Sequence, residues 1–153
     1  MYKKSYAGKS YAGTKKAFTF RNLEVYQKTM ECSVIVAKDF RPVLSRLKYP
    51  FMEEMTACSM EIPLLIGESH SVRYADFPEG VALMEKAMAN CNKMIIYLEQ
   101  VKGIYGEKIK PDLLESVINR YVNIRVKMFR LERAWKKYHE ANPDKKKELR
   151  PIY

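Results

Sequence analysis

The chain has 153 residues, 47% of them hydrophobic, and a formal net charge of +10 at pH 7. That length suffices for one domain with a real core and is short for two, and a composition with only six glycines and no alternating Val, Ile and Thr runs between turn signals argues against a sheet. No apolar run approaches the roughly 20 residues that span a bilayer, and the basic N-terminus lacks the apolar stretch of a secretory signal, so the expectation is an all-α, soluble, cytoplasmic protein.

Residues 1–16 hold five lysines and no acid, and residues 136–153 hold six Lys or Arg against three acids, so most of the net charge lies in the two tails. The first tail contains a tandem duplication, Lys4 to Gly8 repeated at Lys9 to Gly13, without apolar periodicity. It is expected to be a disordered basic arm. Its cations Lys3, Lys4, Lys9, Lys15 and Lys16 alternate with Tyr2, Tyr6 and Tyr11. Lysines can neutralise phosphates and tyrosines can stack on unpaired bases, so the arm suits single-stranded nucleic acid; a merely solubilising arm is the plainer alternative.

Four amphipathic segments follow. In the first, over 22–47, Tyr26, Met30, Ser33, Ala37, Phe40, Leu44 and Leu47 keep a 4, 3, 4, 3 rhythm. Pro42 removes an amide hydrogen and crowds the preceding turn, so a kink near 38–41, or two shorter helices, is expected. The second opens at Pro50 with Glu53 and Glu54 at the positive helix end, and Phe51, Met55, Cys58, Ile62 and Leu65 form its stripe. Pro63 predicts a bend, and 67–75 reads as a loop. The third has the clearest entry: Asp76 as N-cap, Pro78 in the first turn and Glu79 three residues after the cap. Phe77, Val81, Met84, Met88, Cys91, Ile95 and Leu98 then continue its stripe to Val101.

The fourth segment, 112–138, separates two faces. Leu114, Val117, Tyr121, Ile124, Met128, Leu131, Trp135 and Tyr138 stack on one side, and Arg120, Lys127, Arg130, Arg133 and Lys137 fall on the other. Cations that far from the core meet water or an anion, so these five, with the five arm lysines, are the candidate nucleic-acid-binding residues; a solvated face is the alternative. Short connections between the segments predict an antiparallel up-down-up-down four-helix bundle over 17–140, with a disordered arm at 1–16 and a basic tail at 141–153. Leu83, Met94, Ile96, Tyr97 and Ile118 widen the apolar stripes beyond a simple seam, which points to a homo-oligomer unless they pack inside a monomer.

Catalytic constellations are weak. His70 and His139 belong to no metal-binding pattern, and no nucleophile elbow or phosphate-cradling glycine loop is present. Carboxylates at Glu53, Glu54, Glu61 and Glu68 lack the accompanying histidines of a bundle-core metal site. The expectation is a non-enzyme without metal or cofactor. Cys32, Cys58 and Cys91 have no C-x-x-C partner and read as reduced structural thiols.

Four stretches carry a family likeness: Phe20-Arg-Asn-Leu-Glu-Val-Tyr-Gln27, Tyr49-Pro50, Ile62-Pro63-x-x-Ile66-x-Glu68 and Asp76-Phe77. Over about 18–138 the chain resembles the four-helix proteins encoded in intervening sequences of large-subunit ribosomal RNA genes. The same superfamily includes the accessory variability determinant (Avd) proteins of diversity-generating retroelements. The intervening-sequence branch has Asn, Ala and Gly where this chain has Leu65, Gly67 and Ser69, whereas the ending Met128-Phe-Arg-Leu-Glu-Arg-Ala-Trp135 is similar to the Avd branch. That resemblance implies a non-enzymatic basic homopentamer that binds template RNA or its cDNA and the element's reverse transcriptase during mutagenic retrohoming. Arg130, Arg133 and Trp135 are the matched positions, although Trp135 lies on the core stripe. The intervening-sequence branch implies instead an interaction scaffold without a polymerase partner.

Overall fold

A computed structural model describes residues 18–142, and the long elements in them are all helices. A 3-10 turn at Phe20–Asn22, capped by the Thr19 hydroxyl, leads into α1 (Glu24–Ile35), a π-helical turn (Val36–Phe40) and α2 (Arg41–Leu47). Then come α3 (Met52–Val72), α4 (Phe77–Tyr105) and α5 (Pro111–Ala141). The run from α1 to α2 is one interrupted rod, so there are four rods. The first packs against α3 and α5, and α4 packs against the same two. The arm at 1–16 and nearly all of the tail at 141–153 lie outside the described residues, although α5 takes in Ala141.

Pro42 acts as its chemistry requires. It lacks the N–H that would close the preceding turn, and the backbone relaxes into the π-helical turn just before it. A π turn carries an extra residue, so it resets the phase of the buried face. From its last residue onward Phe40 and Leu44 are buried as expected; up to its first residue the buried ones are Val25, Thr29, Cys32, Ser33 and Val36. Tyr26 and Ala37 are only half-buried and Met30 is exposed. The regular rhythm drawn backwards through Pro42 therefore lands one residue off for most of α1.

The loop expected over 67–75 is corrected to a short connection, because α3 continues through Pro63 and Gly67 to Val72. Tertiary contacts hold those last turns. The Ser69 hydroxyl donates to the Gly80 carbonyl at 2.5 Å, and His70 is buried. Further along the pair, Cys58 meets the Asn90 carbonyl, Asn90 donates to Glu61, and the Tyr49 hydroxyl donates to Gln100 at 2.7 Å. Late residues of α3 thus face early residues of α4. Asp76 caps α4 by accepting from the Glu79 amide, as expected, and Gly106, with φ of +58°, ends it in a conformation that glycine adopts without strain.

At Gly80 the two helices approach too closely for any side chain: a Cβ there falls 2.6 Å from Cβ of Arg73 and 2.7 Å from its Cα. Gly80→Ala should therefore destabilise the fold by about 1–3 kcal/mol through overpacking against backbone. Urea unfolding checks this, and an unchanged midpoint would count against so close a crossing.

All rods contribute to one core, with Phe40, Ile62, Met84, Leu98, Tyr121 and Met128 among its fully buried members. Cys32, Cys58 and Cys91 are buried too, and burial pushes their thiols up to about 11, 11 and 12, where they stay protonated at neutral pH. Of the residues that widen the stripes, Met94 and Ile118 are buried and Leu83 and Tyr97 half-buried, leaving only Ile96 largely exposed. No described helix is long and apolar enough to cross a membrane.

Candidate nucleic-acid interface

α5 starts with Pro111 at its first position and Asp112 in its first turn, both suited to a helix N-terminus. Its 31 residues give a rod of about 47 Å. The core side is as expected for Leu114, Val117, Tyr121, Ile124, Met128 and Trp135, which are buried, while Leu131 is half-buried. Tyr138 departs from the pattern at 52% exposed.

The five predicted cations do not form one stripe. Arg130, Arg133 and Lys137 gather on the outer face of the last turns, where they line a surface depression of about 640 Å³ with Phe129 and Ala134. No ion pair to an acid engages these three among the described residues. Lys136 borders the same depression but is held by the Glu132 carboxylate at 3.0 Å, with Glu85 at 3.9 Å. Glu140 is the acid on its rim.

Arg120 and Lys127 lie on the flank facing α1, around a smaller hollow of about 320 Å³ shared with Glu24, Lys28 and Glu31, and Arg130 borders that flank too, beside Lys127 and Glu24. Lys127 donates to Glu24 at 2.6 Å, which holds that carboxyl below its usual range. The expectation that Lys127 stands free is therefore corrected: an acid one helix away neutralises it. Both partners are substantially exposed, so water and salt screen the pair and it adds little to stability. The arm lysines Lys3, Lys4, Lys9, Lys15 and Lys16 lie outside the described residues.

Two features escaped the sequence reading. One is an aromatic cluster where α3, α4 and α5 end or begin. The Arg73 guanidinium sits over Tyr74 at 4.2 Å and Trp135 at 4.6 Å, His70 lies beside Trp135, and Phe77 stacks on His139 at 3.8 Å. Burial and the Arg73 charge push His70 down to about 4, so it is neutral at physiological pH. Trp135 is thus a packing residue whose face carries Arg73. The other is an apolar groove between α1 and α3, about 580 Å³, lined by Phe20, Met30, Met60 and Leu64. Leu64 is 72% exposed. Helical spacing alone cannot tell this outer apolar patch from core.

Among the described residues no group of three or more His, Cys, Asp and Glu side chains is placed to hold a metal ion. The Glu85–Glu132–Lys136 cluster is ionic packing: Glu132 is buried, and the lost hydration raises its carboxyl despite the Lys136 contact. No family model, curated protein or solved structure matches this chain.

Proposed function

We propose that this chain is a non-enzymatic accessory protein that binds nucleic acid through the outer face of α5. One observation carries the reading: Arg130, Arg133 and Lys137 converge on one depression with no acidic partner among the described residues. Guanidinium and ammonium groups left unpaired on a chain of net charge +10 attract polyanions through counterion release, which requires no preformed pocket for a base. Arg120 adds charge on the flank, and Lys127 can exchange Glu24 for a phosphate at small cost.

The finer picture joins this surface to the resemblance. In it the rods run up-down-up-down, copies of the chain associate through exposed apolar residues such as Met60 and Leu64, and the assembly presents template RNA or its cDNA to the reverse transcriptase of a diversity-generating retroelement. The polymerase partner and the fivefold assembly rest on the resemblance alone. The intervening-sequence type of scaffold predicts the same bundle without that partner.

Binding of fluorescein-labelled single-stranded RNA to the full chain, followed by anisotropy between about 50 and 200 mM salt, tests the central claim. The triple variant Arg130→Glu, Arg133→Glu, Lys137→Glu is expected to bind about tenfold more weakly or worse and to flatten the log–log salt slope by about 2, or 0.7 per lost contact. Its helical circular dichroism should not change, since all three side chains are exposed. Unchanged affinity would move the function away from nucleic acid.

A further inference from the structure

We infer that the outer face of α5 takes an unpaired strand in preference to a duplex, with Phe129 as the surface on which a base stacks; this rests on the α5 reading proposed above. Phe129 is 45% exposed and lies in the same depression as Arg130, Arg133 and Lys137. The Arg133 guanidinium lies 5.8 Å from the centroid of its ring, so the aromatic face and a phosphate-binding charge form one unit. Such a pairing of ring and cation is how strands are held without base-edge readout.

The chemistry of the lining distinguishes the two partners. The cations of the depression would hold the phosphates of either partner, so the exposed ring decides between them. In a duplex the base faces are covered by their neighbours, and an exposed phenyl ring would meet only sugar and phosphate. In an unpaired strand the faces are open, so Phe129 gains a partner while Arg130, Arg133 and Lys137 hold the flanking phosphates. Glu140 on the rim repels phosphate there, which directs the strand toward the Phe129 end. Val126 and Val122 are also exposed, one and two turns before Phe129, and a contact between copies of the chain is the competing use of this face.

The test uses the full chain with two probes, fluorescein-labelled oligo(dT) and the same strand annealed to oligo(dA). Phe129→Ala is expected to weaken binding of the single strand about tenfold, the loss of one stacked base, and to change duplex binding by less than about twofold. Phe129→Tyr should retain single-strand binding, and light scattering should give the same mass for all variants. Equal loss for both probes, no loss for either, or a change in mass for Phe129→Ala overturns the inference. The underlying α5 reading fails separately, if Arg130→Ala, Arg133→Ala, Lys137→Ala together leave both probes bound as tightly as before.

Discussion

Trp135→Ala is expected to lower the unfolding free energy by about 3–5 kcal/mol, the range for removing a large buried aromatic side chain. Trp135 is 8% exposed, and its ring covers His70 and supports the Arg73 guanidinium. Truncation leaves a void at the end of the bundle and removes one of the two rings that stand in for a carboxylate partner of Arg73, whose charge is already penalised by burial. Against a typical domain stability of about 5–15 kcal/mol, such a loss leaves a marginal fold. Trp135→Phe keeps a ring there and should cost less than half as much. Urea unfolding of the three proteins measures the order. A Trp135→Ala protein of unaltered stability but impaired nucleic-acid binding would make this side chain a contact residue and not a packing one.

The second large effect is pH-dependent. His70 has its Nε2 buried without a hydrogen-bond partner among the described residues, its ring lies among Phe18, Tyr74 and Trp135, and Arg73 adds a positive charge nearby. Its folded value, about 4, is below the 6.5 of a solvated histidine. Between those values the unfolded chain takes up a proton that the folded chain refuses, so stability is full above about pH 6.5 and falls as pH drops toward 4, by up to about 3 kcal/mol. Glu132 acts in the opposite sense. Its carboxyl is raised in the fold, so its own contribution grows as pH falls through that raised value. Comparing the wild type with His70→Leu across pH 4–7 separates the two, since Glu132 is common to both. The stability difference should move in favour of leucine on acidification; parallel curves would place His70 in contact with solvent.

Much of this arrangement is legible in residue order because helices are local. Asp76 and Glu79 mark the start of α4, and Pro111 and Asp112 the start of α5, by satisfying or tolerating free amide groups within one turn. The motif residues that carry the family likeness fall in the same class: Leu23 and Val25, Tyr49, Ile62 and Ile66 are buried, and Asp76 is a cap. They speak to fold more than to site. The last turns of α3 were not legible, because a helix containing both Pro63 and Gly67 is locally poor, and what sustains it is the remote bond from Ser69 to Gly80.

The candidate site divides along the same line. An angular projection of α5 separates cations from core, and on that count Arg130, Arg133 and Lys137 are where the sequence alone puts them. It carries no information about the neighbouring rod, so it could not show that Lys127 faces Glu24, more than a hundred positions away, or that Lys136 also meets Glu85 of α4. Composition and periodicity determined an all-helical chain with a basic outer face, since both depend on residues within a turn or two of one another. Tertiary structure alone decided which of those charges stay free and which apolar residues stay outside, because charge neutralisation and burial are set by whichever helix the fold brings alongside.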